Sequence, residues 1–188
     1  MDPKVPLNET LEVRNIINKL QLIPHTEGGY FKETYRSGSE PMASHGLTDV
    51  SGALMKPGGR RYSVRNVSTS IMYLLTKNSP IDFLHRDESD IVRYYHGGGT
   101  ILVHTVSPDG KLHQHRLGIN LEAGEVPQLV TPSGYWEALE LVNGDWALQG
   151  ESVAPGFDYR DMVLGTKETI SHFSEDIRDV LQRCVLFG

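Results

Sequence analysis

The sequence predicts an all-β fold, a sandwich or barrel with one helix at each end. Short strand-like runs recur about nine times through the middle of the chain. Strong turn signals separate them, among them Asn78-Ser79-Pro80, Ser107-Pro108-Asp109-Gly110 and Pro132-Ser133-Gly134. Helical spacing of apolar residues occurs only near the ends, so helices do not alternate with strands as they would around a parallel sheet.

Length and charge narrow the function classes. At 188 residues the chain reads as one domain, residues 1–188, long enough to bury a full core. A net charge of −6 without any Lys/Arg-rich run argues against a nucleic-acid partner. No apolar stretch approaches the roughly 20 residues of a membrane span, and Met1-Asp2-Pro3-Lys4 opens no signal region. The single Cys184 excludes an internal disulfide framework and suits a reducing compartment. The expectation is a cytoplasmic protein with a small-molecule partner and no contact with nucleic acid or membrane.

In chain order, Val13, Ile16, Ile17 and Leu20 predict a helix over 8–20, with Asn8 as N-cap and Pro24 beyond its end. From Gly29 to Arg36 the residues favour a strand. Its alternation puts Tyr30, Lys32, Thr34 and Arg36 on one face, the expected wall of a polar pocket, and Phe31, Glu33 and Tyr35 on the other. A solvated edge is the ordinary alternative. Ser37 to Gly59 reads as a long loop, followed by Arg60, Arg61 and Arg65, whose guanidinium forks suit a phosphate or, more simply, surface acids. Strands follow at Ile71–Leu75, Phe83–His85, Ile91–Tyr95, Thr100–Val106, Lys111–Leu117, Gln128–Thr131, Tyr135–Leu141 and Trp146–Val153. A final helix runs from Ser174 to Cys184, with Ile177, Val180, Leu181 and Cys184 as its apolar stripe.

Three constellations carry candidate chemistry. His85 ends a strand beside an acidic loop, where an imidazole can act as general base or acid, although a core or surface histidine is the simpler reading. If the hairpin at Ser107–Gly110 sets Val106 opposite Lys111, then His104 faces His113, with His115 on the same side. Because Ile101, Val103, Thr105 and Leu112 form the inward set, these histidines read as exposed side chains and not as a metal site. The bend at Pro155-Gly156-Phe157-Asp158-Tyr159 offers Asp158 to orient a histidine, against a plain Asp-capped turn.

Several blocks carry a family resemblance. They are Leu22-x-Pro24-His25-x-Glu27-Gly28-Gly29-Tyr30-Phe31-x-Glu33-Thr34-Tyr35-Arg36, Ser68-Thr69-x-Ile71-x-Tyr73-Leu74-Leu75, Phe83-x-His85-Arg86, Pro132-x-Gly134-x-Trp136 and Pro155-Gly156-Phe157-Asp158-Tyr159-x-Asp161. Their order resembles the small cupin-5 family, a domain of unknown function, over about Leu20 to Leu181. The resemblance implies a cupin-type double-stranded β-helix, a jelly-roll barrel, similar to dTDP-4-dehydrorhamnose 3,5-epimerase, and a homodimer. Metal-binding cupins carry an H-x-H pair, a glutamate and a further histidine. Here His85 stands alone and Trp136 follows Pro132-x-Gly134, so no metal or other cofactor is expected. Where many relatives continue S-D-E-x-W-H, this chain has Ile91 and Arg93.

That likeness implies a function: binding of a nucleotide or nucleotide-sugar, with sugar epimerisation or isomerisation. His85 would be the base, Asp158 its orienting partner, and Tyr30 or Tyr73 the proton donor. His25, Glu27 and Trp136 would contact ligand, and Arg36, Arg61 or Arg65 would hold a diphosphate. The competing expectation is a barrel that binds such a ligand without transforming it.

Overall fold

In this computed structural model residues 8–38 and 66–186 are described. Strands form where β-branched and aromatic side chains recur. In order they are β1 (Ile23–Pro24), β2 (Tyr30–Arg36), β3 (Thr69–Thr76), β4 (Ile81–Arg86), β5 (Asp90–Gly98), β6 (Ile101–Val106), β7 (Leu112–Leu117), β8 (Glu125–Val126), β9 (Gln128–Thr131), β10 (Trp136–Leu141), β11 (Trp146–Ala154) and β12 (Val163–Leu164). Two six-stranded sheets result, ordered β1-β2-β3-β11-β5-β9 and β12-β4-β10-β6-β7-β8. The expected all-β jelly roll is what the described residues form. The two-residue strands β1, β8 and β12 were not expected, being too short to show a period.

Helices cover the outer faces. Helix α1 (Leu11–Leu20) begins three residues later than expected, because Thr10 Oγ1 and not Asn8 accepts the amide of Val13, at 3.2 Å. At the other end α2 (Lys167–Ser171), α3 (Glu175–Leu181) and a 3₁₀ turn (Gln182–Cys184) replace the single expected helix. Among the described residues no helix is long and apolar enough to cross a membrane.

Apolar side chains sort into three layers. Tyr73, Leu75 and Ala147 of the first sheet meet Ile101, Val103, Leu117 and Leu139 of the second between the sheets. Val13 and Ile17 of α1 pack with Tyr30 and Leu74 on the outside of the first sheet. Ile177, Leu181 and Cys184 pack with Leu84, Val106 and Ala138 on the outside of the second. Each terminal segment thus shields a different sheet from water.

Two bulges set which residues reach the interior. In β4, His85 pairs with Glu137 but Asp82 pairs with Leu139, so three steps on β4 match two on β10. The extra residue puts both Asp82 and His85 inward despite their odd spacing. In β2, Glu33 pairs with Ile71 and Tyr35 with Ser70, so the chain gains a residue there too. Strict alternation would separate Glu33 from Arg36; the bulge brings both to the mouth of the cavity.

The Gly28-Gly29 pair makes the sharp entry into β2. Gly28 has φ +100°, and a Cβ there would lie 2.1 Å from the carbonyl oxygen of Ile81. Replacing Gly28 with Ala should therefore cost about 2–4 kcal/mol of stability. Gly110, at φ +80° with open space around it, should cost about 1 kcal/mol on the same change. Denaturant unfolding of the two variants checks the difference.

Candidate functional site

A cavity of about 330 Å³ opens between the sheets. Its walls come from β2 and β3 on one side and from the end of β4 on the other, with the 155–161 bend closing the mouth. Aromatic groups ring the opening: His25 stands edge-on to Phe31 at 4.4 Å, and Phe157 is edge-on to Tyr159 at 5.0 Å. Tyr159 Oη lies 3.4 Å from His25 Nε2. Such a rim suits the apolar face of a sugar ring or a base.

The deep end is polar and buried. His85 is 2% exposed, with Nδ1 2.8 Å from the carbonyl of Phe83 and Nε2 3.1 Å from Glu137 Oε1. Carbonyl and carboxylate both accept, so this geometry calls for a proton on each ring nitrogen. Burial alone would lower the imidazole pKa, but Glu27, Asp82 and Glu137 outweigh it and hold His85 well above its usual value. Geometry and the surrounding acids thus favour the imidazolium form of His85, where a general base was expected.

Arg93, the unexpected residue of β5, reaches across from the first sheet. Its Nη2 donates to Glu137 Oε1 at 2.8 Å and its Nη1 to Thr131 Oγ1 at 3.3 Å, with both charged partners 1% exposed. Burial works against the ionised Glu137, yet Arg93 and His85 hold it down at about 2. The remaining acids lack such cover. Burial first, with Glu27 and Glu151 adding to it, drives Asp82 well up, and burial also raises Glu151. Asp87, 3.8 Å from His85 Nε2, is pushed up to about 7, chiefly by burial against the pull of His85.

The expected site residues divide. His25, Glu27, Tyr73 and His85 line the cavity, and Arg36 stands at its mouth. Arg36 gives Nε and Nη2 to Glu33 and Nη1 to Asn66 and the carbonyl of Phe157. Tyr73 donates to the carbonyl of Gly28 at 2.6 Å, and burial raises its pKa well above the ordinary phenol value, so it makes a poor acid.

Three assignments are corrected. Tyr30 turns away, under α1, to meet Glu9 at 3.3 Å, because Phe31 and Glu33 and not the even-numbered set face inward. Asp158 accepts from Arg160 Nε and Nη2, at 2.8 and 2.6 Å, and the carboxylate hydrogen-bonded to His85 is Glu137. Trp136 lies on the outside of the second sheet beneath Arg86, at 4.9 Å, since its neighbour Glu137 takes the inward position on β10. Arg61 and Arg65 fall outside the described residues.

The histidine hairpin also differs. Val106 pairs with Leu112, one residue from the expected register, so His104 faces Gln114. His104 does point outward but is fully buried, while His113 and His115 are exposed. Asp82, Asp87, Arg93, Glu137 and Glu151 were not picked out as site residues. Alternation along β5 and β10 was the available signal for Arg93 and Glu137.

The cavity does not fit the histidine-rich metal set that the resemblance brings to mind. Among the described residues its imidazoles are His25 and His85, both beside Glu27. The sets Glu27–Asp82–His85 and His85–Asp87–Glu137 are close enough to ligate, but His85 Nδ1 faces the Phe83 carbonyl and the buried Arg93 holds Glu137. Glu27 Oε1, Asp82 Oδ1 and Gln149 Oε1 lack a hydrogen-bond partner. Of these Glu27 alone lines the cavity, where a hydroxyl donor of a ligand would satisfy it.

Comparison with known proteins agrees with the fold. The family described as Cupin superfamily (DUF985) matches residues 14–165. Uncharacterized protein YML079W of Saccharomyces cerevisiae is 38% identical over 163 residues, 84% of this chain and 78% of that protein. Protein SO0799 from Shewanella oneidensis superposes with a TM-score of 0.76 at 27% identity, covering 93% of this chain and 97% of its own. A hypothetical protein from Leishmania major gives 0.75 at 27% identity, covering 95% and 100%.

Two outcomes follow from the buried charges. Replacing Arg93 with Met strands Glu137 and should cost about 3–5 kcal/mol, with much of it regained when Glu137→Gln is added; equilibrium unfolding reads both. Asp87 binds its proton more tightly folded (about 7) than unfolded (3.8), so it increasingly opposes folding from pH 4 to 7 and no further above. Asp87→Asn should therefore gain on the parent by up to about 1.4 kcal/mol per pH unit across that window, then level off. Denaturation at a series of pH values checks the slope.

Proposed function

This chain belongs to the Cupin superfamily (DUF985) family, and on that premise we propose that its cavity transfers protons on a sugar-like ligand, as an epimerase or isomerase of a nucleotide-sugar. The observation that carries this reading is the pair at the deep end. His85 holds two protons beside Asp87, whose carboxyl stands at about 7, near the pH at which it must both take and return a proton. Asp87 would take the proton from the carbon next to a ketone, and the charge of the His85 imidazolium, whose N–H groups stay on Phe83 and Glu137, would favour the enolate that forms. Asp87 would then return the proton to the neighbouring carbon, which isomerises the sugar, or to the opposite face of a ring that has turned over, which epimerises it.

The rest of the cavity supports the same ligand class. A hydroxyl group suits the unpartnered Glu27 Oε1 of the cavity wall, and a neutral sugar end suits the acids there better than a phosphate does. The phosphate end then stays at the mouth, by Arg36, with the aromatic rim for the ring or base. The rim also favours a second reading, a binding module that holds such a ligand unchanged.

A panel of nucleotides and keto-sugar nucleotides tests both. A true ligand at a hundredfold excess over its Kd should stabilise the protein by about 2.7 kcal/mol. Turnover should appear as carbon-bound deuterium acquired from heavy water, and should be lost in His85→Gln and Asp87→Asn. Stabilisation without exchange leaves the binding module; a panel giving neither removes both readings.

A further inference from the structure

We propose that His104, Glu140 and Cys184 form a site for a zinc-class divalent cation on the outer side of the second sheet, apart from the cavity. His104 on β6 and Glu140 on β10 point outward from neighbouring strands, and the 3₁₀ turn after α3 lays Cys184 over them. His104 Nε2 is 2.9 Å and Cys184 Sγ 3.3 Å from the same atom, Glu140 Oε1. One nitrogen, one sulfur and one oxygen thus lie within 4.8 Å of one another. Tetrahedral zinc, with bonds of about 2.0–2.3 Å, asks for that donor set at about 3–4 Å spacing and accepts water as a fourth ligand. His104 and Cys184 are fully buried and Glu140 is 9% exposed, so a water as fourth ligand would enter on the side where Arg183 now meets Glu140.

The same oxygen now collects three donors: His104 Nε2–H, Cys184 S–H and Arg183 Nε–H, the last at 2.8 Å. A cation takes the place of the first two protons. The thiol proton goes to solvent. The imidazole proton shifts to Nδ1, where Gln114, 3.0 Å away, accepts it once its amide turns over. One proton leaves per cation, and thiolate and carboxylate neutralise the divalent charge. Without the cation, burial and Glu140 hold the thiol pKa far above its ordinary value, so Cys184 is no nucleophile. Arg183 competes for Glu140, but its side chain is 59% exposed and free to swing into water. Arg93 in the cavity has no such exit.

Cobalt reads the site directly. Cys184 is the sole cysteine, so any thiolate-to-cobalt absorption in the near ultraviolet must come from it. The chelator-stripped full-length protein, titrated with Co²⁺, should develop that band at one cation per chain, releasing about one proton. Zn²⁺ should erase it and raise the melting temperature. The band should vanish in Cys184→Ser and His104→Gln, persist in His85→Gln, and appear at lower Co²⁺ in Arg183→Gln. A folded parent protein that shows no band at about a hundredfold excess of Co²⁺ overturns the proposal, as does a band that survives His104→Gln.

Discussion

The hydrogen-bonded ion pair between Arg93 and Glu137 spans the interior from one sheet to the other, and the electrostatics of the cavity depend on it. Neither charge sees water, so each carries a desolvation cost of several kcal/mol that only close geometry offsets. Glu137 manages this because one oxygen receives both the guanidinium of Arg93 and the imidazole of His85. That leaves one ionised carboxylate with two cations at the centre. Asp82 and Glu151, without equal cover, hold protons to higher pH, and Asp87 sits between the extremes. A graded set of acids around one fixed ion pair leaves one carboxyl, that of Asp87, near neutrality.

Position along the chain could not have revealed this arrangement, but pleat parity comes close. The strands were legible because their apolar runs and turn signals are strong, and the register errors are small. Val106 pairs with Leu112 where Lys111 was expected, one residue of slip that changes which histidines meet. Tyr30 was read as a wall of the pocket because the most polar face of β2 looked functional. Its hydroxyl instead completes a buried knot with Glu9, Thr76 and Asn78 that seats α1 on the barrel.

What stayed hidden was hidden for physical reasons. A bulge has no reliable sequence mark, so the inward turn of both Asp82 and His85 needed the ladder itself. Asp158 was chosen as the partner of His85 on analogy, while Glu137, directly opposite across the strands, lay in an unremarkable run of alternating residues. Arg93 was noticed only as a departure from the family pattern. A lone buried arginine can be recognised only once the acids from other strands that receive it are known.

The extra residue in β4 also bears on how this architecture diversifies. Removing one residue between Asp82 and His85 would give β4 an even ladder against β10, with its pairing to the sheet intact. Asp82 and His85 would then stand two steps apart on a regular strand, both still facing the interior. A single codon lost at that point therefore shortens the strand while the polar pair and the barrel around it are inherited unchanged. Chains that differ in length by one residue across β4 can for this reason share one cavity, and an alignment that refuses a gap there would hide the likeness.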